Sequence, residues 1–201
     1  MVNEKVNIRD KHRKIKRLSI KFLILFGIII ILAGAYFLGF FHSKPPQITI
    51  EHPMRDIVFA NTNEAGEVNG PAVVQQGIEE FNENYIIYLL VSLGVNNIHK
   101  SYVGYGDAEI DLIIDQETWS AIVSKGLSVS KQPSPDPDLI IRMSKQEAIM
   151  ALISPNIKEY LKDSVNNGNT QLEQVSNKVE LASKGYLKMY TALTGEVINI
   201  E

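Results

Sequence analysis

Between Phe22 and Phe41 the chain runs FLILFGIIIILAGAYFLGFF, twenty residues without a charged side chain. At a rise of about 1.5 Å per residue, a helix of that length crosses a hydrocarbon layer of about 30 Å. Only a helix satisfies every backbone N–H and C=O internally within such a span. The run has no polar face, so it is a poor match to a helix in a globular core. Tyr36, Phe37, Phe40 and Phe41 fall at its outer end, where aromatic rings suit the headgroup boundary. Lys11, Arg13, Lys14, Lys16 and Arg17 precede it and Lys21 can snorkel, whereas Lys44 is the one Lys or Arg in the eight residues that follow. This asymmetry predicts a single-pass membrane protein with a cytoplasmic N-terminus and an extracytoplasmic main domain. A cleaved signal peptide competes with that reading, because Ala33-Gly34-Ala35 fits the small-residue cleavage pattern. Cleavage there would leave a chain opening on the exposed apolar run YFLGFF.

The organisation that follows is a basic cytoplasmic segment (1–21), a transmembrane helix (22–41), a stiff spacer around Pro45-Pro46 (42–47) and one domain (48–201). Charge separates the two ends. Residues 1–41 carry eight Lys/Arg against Glu4 and Asp10, while residues 42–201 carry twelve against twenty-one Asp/Glu. A domain with that acidic excess repels a phosphate backbone, which argues against nucleic acid as a partner. Cysteine is absent, so disulfides, thiolate metal sites and a cysteine nucleophile are excluded.

Within the domain, Gln47–Glu51 alternates as a short strand and Asn61–Pro71 reads as a loop. From Gly70-Pro71 to Gly94, apolar residues from Val73 through Leu93 recur at spacings near three and four, predicting one amphipathic helix. Ser101–Asp115 reads as a hairpin turning at Gly104–Asp107, with Glu109–Ile114 as a strand. Strands are expected at Thr118–Val123, Leu127–Ser130 and Asp138–Met143. Ser144 with Glu147 three residues on is a capping box opening a helix that Pro155 stops. A helix at Asn156–Asn166, a strand at Lys178–Ala182 and a closing helix at Gly185–Leu193 complete an α+β chain.

The stretch WSAIVSKGLSVSKQPSPDPDLIIRMSKQEAIMALIS orders a Trp-bearing strand, a Lys-Gly turn, a second strand, a proline-rich hinge and a strand leading into a Ser-capped helix. With the later run KVELASKGYLKMYTAL, it resembles the sterol-carrier-protein-2-like domain, over about 71–195. The resemblance implies a roughly five-stranded, mainly antiparallel sheet covered by helices, with an apolar tunnel for a sterol, fatty acyl chain or isoprenoid. On that pattern the tunnel residues would be Trp119, Ile141, Met143, Met150, Ile153, Tyr186, Met189 and Tyr190, with Tyr160 nearby. Each of them would serve equally as plain core, since pockets for apolar ligands and interiors share residue types. The expectation is a non-catalytic lipid-binding domain; the alternative is an interaction subunit of a membrane complex with a filled interior and an unidentified protein partner.

Signals for chemistry are sparse. His12, His42, His52 and His99 are scattered without metal-ligand spacing, so no metal or other cofactor is expected. No nucleophile elbow, phosphate loop or dinucleotide fingerprint occurs. Glu109, Asp111 and Asp115 share strand parity, which a carboxylate dyad could use, but the solvated face of a half-buried strand gives the same spacing.

Overall fold

The computed structural model describes residues 50–197, which lie within one compact unit spanning Pro45–Glu201. The expected segments 1–21, 22–41 and 42–47 lie outside the described residues. Among the described residues no helix is long and apolar enough to cross a membrane.

Five strands, β1 (Ala108–Ile114), β2 (Glu117–Val123), β3 (Leu127–Ser130), β4 (Leu139–Met143) and β5 (Gln171–Gln174), form one sheet in the order β3-β2-β1-β4-β5. The first three make an antiparallel meander, β4 joins the free side of β1 in parallel, and β5 closes that edge antiparallel. The fold is therefore α+β with a mixed sheet. The β1–β2 turn consists of Asp115 and Gln116, and Asp115 takes a left-handed φ of 54°, which a short polar side chain tolerates. Register sets Leu112 between Trp119 and Ile141, and Ile114 beside Met143. Because side chains alternate along a strand, these residues share one face.

Helices cover that face. α1 (Arg55–Ala60) and α2 (Gly70–Glu79) lead into α3 (Glu83–Leu93), which buries Tyr85, Ile86, Leu89, Leu90 and Leu93 at helical spacing. Asn82 caps its start by accepting the Asn84 N–H, and Gly94 ends it in the left-handed conformation. α4 (Lys145–Ile153) starts where the Ser144 hydroxyl accepts the Glu147 N–H at 3.0 Å. α5 (Ile157–Asn166) packs on α3 and α4, α6 (Lys178–Ser183) follows β5, and α7 (Leu187–Thr194) packs on α5 and α3.

The opposite face carries Glu109, Asp111, Ser120 and the half-buried Ile113, Ile122 and Ile140. The connection from β3 to β4 touches two of these. Pro133, Pro135 and Pro137 have no N–H, which leaves the N–H groups of Ser134 and Asp136 between them. Ser134 N–H donates to Asp111 Oδ1 at 3.0 Å and Asp136 N–H to Glu109 Oε2 at 3.3 Å. The shared parity of those carboxylates thus serves to pin a proline-rich crossover.

Four sequence expectations are corrected. The helix expected over Gly70–Leu93 breaks at residues 80–82, because Asn82 caps a new helix while Phe81 keeps the apolar period and hides the interruption. Ser101–Asp107 is a loop closed by Ser101 N–H to the Gly106 carbonyl, and the hairpin turn lies instead at Asp115-Gln116. Lys178–Ala182 is helical, since Asn177 accepts the Glu180 N–H at 3.0 Å and starts α6; the fifth strand is Gln171–Gln174. Ile50 and Glu51 are irregular, and residues 47–49 lie outside the described residues.

Candidate functional site

Of the residues expected to line a tunnel, Trp119, Ile141, Met143, Tyr186 and Met189 are buried in the one hydrophobic core, and Ile153 packs against it. Met150 and Tyr190 are half-buried. Ile153 lines an open depression of about 330 Å³ with His52, Met54 and Leu152. Tyr190 lines another of about 410 Å³, with Thr170, Leu172 and Thr194 among its walls. Seven of the eight residues therefore divide between core and two separate hollows, and Met150 belongs to none of these.

Trp119 stands apart from the other core residues. It is 6% exposed, yet its indole Nε1 finds no hydrogen-bond partner among the described residues. A buried donor left unpaired costs about 1–3 kcal/mol, so such groups are uncommon in cores. Phe81, carried on the break between α2 and α3, lies edge-on to the Trp119 ring at 6.5 Å and against Tyr85 at 5.2 Å. Burial, followed by the Glu80 carboxylate, raises the Tyr85 hydroxyl above its ordinary pKa. The result is an aromatic seam between the sheet and the helices.

Its rim is charged. Lys131, just after β3, places Nζ 5.3 Å from the centre of the Trp119 ring, and Lys145, the first residue of α4, places Nζ 6.0 Å from that of Phe81. Both ammonium groups reach the same oxygen, Glu117 Oε1, at 3.0 and 3.3 Å. The hydrogen bond from Lys131, supported by Lys145, holds the Glu117 carboxyl below its ordinary pKa against partial burial. Three elements distant in sequence thus bring two cations and one anion to the edge of the seam.

A second polar cluster lies inside the domain. Asp138 Oδ1 accepts from Lys184 Nζ at 2.6 Å and from Ser176 Oγ at 2.7 Å, while Oδ2 accepts from Glu109 N at 2.8 Å and from the Tyr186 hydroxyl at 3.0 Å. Lys184 also donates to Glu180 at 2.8 Å. Burial alone would lower the Lys184 pKa, but the bonds to Asp138 and Glu180 outweigh it and raise the ammonium above its ordinary value. Burial, then the Asp138 charge, push the Tyr186 hydroxyl well above its own. Every lone pair of Asp138 is spoken for, which makes this cluster a clamp joining β1, β4, α6 and the start of α7. Tyr186 belongs to that clamp through its hydroxyl, a role that residue type alone did not reveal.

The residues that sequence reasoning missed are Phe81, Lys131, Lys145 and Glu117 at the seam, and Asp138 with Lys184 in the clamp. A reader could have noticed that Trp119 lies two residues from Glu117, but nothing local ties either to residue 81 or 145. Among the described residues no group of three or more His, Asp or Glu is placed to hold a metal ion.

No family model matches the chain, and no curated protein matches it. Among solved structures, it is similar to a double mutant of the sec-alkyl sulfatase PisA1 at 11% identity and a TM-score of 0.34, over 62% of this chain and 17% of that one. Agreement that low carries nothing from the sulfatase to this chain.

Proposed function

We propose that the chain is a membrane-tethered, non-catalytic binding domain for an apolar lipid, with the fold type of the sterol-carrier-protein-2-like family. The observation that carries this reading is Trp119: a buried indole whose N–H has no partner, in an aromatic seam under a side chain held on a break between two helices. Aromatic walls with a polar handle suit an amphiphile. A bound acyl chain gains ~0.8 kcal/mol for each CH₂ buried, so a few methylenes suffice before ordering costs. The charge-free run Phe22–Phe41 supplies the tether. A non-catalytic role accords with the carboxylates: Asp138 is saturated by donors, and Glu109 and Asp111 hold the crossover.

The test is organic extraction and mass spectrometry of the full chain purified in detergent. A stoichiometric apolar molecule that is lost in Trp119→Phe, with the fold retained, supports the reading. Its absence from both proteins sinks it.

One feature favours the interaction-subunit reading instead. Ile113, Ile122 and Ile140 stand half-buried on the sheet face opposite the helices, where a protein partner could cover them. Cross-linking from that face to a single membrane protein, with no extractable lipid, would decide for it.

A further inference from the structure

We infer that the lipid carries an anionic headgroup, held by Lys131 and Lys145 at the rim of the seam in place of Glu117; this rests on the lipid-binding reading. The unpartnered group inside is the Trp119 N–H, a donor only. At the rim, each lysine has three N–H donors and no acceptor, and the two of them share one oxygen of Glu117. Glu80, beside Phe81, already accepts from Gln76 Nε2 at 2.7 Å. The interior of the seam thus offers a donor and its rim two ammonium groups on one carboxylate oxygen, and the Lys131–Lys145–Glu117 triad carries one net positive charge.

A neutral lipid entering here would remove water from two ammonium groups and return at most hydrogen bonds to uncharged oxygens. A carboxylate or phosphate would replace that water with charge-assisted bonds while its chain lay along Phe81, Tyr85 and Trp119. Lys131 is mostly exposed and Glu117 partly so, so the rim can exchange one anion for another without opening the core. Glu117 then acts as a resident counter-ion that competes with the ligand.

Trp119 is the single tryptophan of the chain, so its fluorescence reports this seam alone. Full chain in phosphatidylcholine vesicles, at about pH 9 where a fatty acid is ionised and lysine still charged, is titrated with dibrominated stearic acid and with its methyl ester. Bromine quenches the indole on contact. The acid should quench at a concentration about tenfold below the ester. Lys131→Gln/Lys145→Gln should erase that preference of acid over ester, with circular dichroism verifying the fold. Glu117→Gln should tighten the acid about threefold, whereas a merely structural ion pair predicts no gain. Equal quenching by acid and ester, unmoved by these variants, overturns the headgroup assignment and leaves the lipid site standing. Quenching by neither overturns both.

Discussion

The Lys184 ammonium donates to Asp138 Oδ1 at 2.6 Å across 46 residues of sequence, and their side chains are only 3% and 1% exposed. A buried pair of this kind is stabilising mainly in the sense that neither partner can be lost alone. Removing the cation leaves a desolvated carboxylate with Ser176, Tyr186 and one backbone N–H for company.

Lys184→Met is therefore expected to cost about 3–5 kcal/mol, and Tyr186→Phe, which removes one donor and no charge, about 1–3 kcal/mol. Urea unfolding of the two variants beside the parent checks the order. Equal losses would mean that the charge is not the dominant element of the clamp.

The same cluster contributes to the dependence of stability on alkaline pH. Lys184 is raised above its ordinary 10.5 and Tyr186 well above its ordinary 10.0. A group whose folded pKa is raised contributes stability that is complete below the unfolded value and disappears as pH climbs through the folded one. The urea midpoint should hold up to about pH 9 and fall above about pH 10, more shallowly in Tyr186→Phe. An alkaline limb identical in that variant would assign the loss to other groups.

Gly185 takes a φ of +85°, and a Cβ there would collide with the Asn97 carbonyl oxygen. Gly185→Ala combines a left-handed backbone, costing about 1–3 kcal/mol, with a collision against a backbone atom that no side-chain rotation relieves. A melting temperature lowered by at least several degrees is expected, on a scale of about 2–4 °C per kcal/mol. A melting temperature within a degree of the parent would contradict the close approach.

Asp111→Ala leaves the Ser134 N–H without its acceptor on β1. The expected loss is about 1–2 kcal/mol, with amide exchange at Ser134 accelerating well beyond that of β1 itself. Unchanged exchange would show that the prolines alone hold the crossover.

Strands with apolar alternation, such as Ile110-Leu112-Ile114, and the helix capped by Ser144 are legible in the sequence because period and cap are local signals. Other elements are not. Phe81 sits in register with the apolar stripe on both sides of it, so periodicity runs straight through a break made by the Asn82 cap. Gln171–Gln174 is a polar edge strand, and its pairing with β4 leaves no mark on its own residues. Asn177 and Glu180 did spell a helix start, which the β-branched and apolar residues after it disguised as a strand. The seam was legible only as Trp119. Its lysines come from the end of a strand and the start of a helix, and their convergence on Glu117 depends on the register of β2 with β3 for Lys131 and of β1 with β2 and β4 for Lys145.

Synthesis gives the distance between Asp138 and Lys184 a further meaning. The residues of β1 to β4 are made before Lys184, which lies 46 residues after Asp138, and until it is made that carboxylate has no ammonium to neutralise it. A nascent sheet that buried Asp138 early would carry an unpaired charge, so dry packing around it is penalised until the partner arrives. A chain cut before the end of α6 would therefore leave the carboxylate of Asp138 without the ammonium that neutralises it.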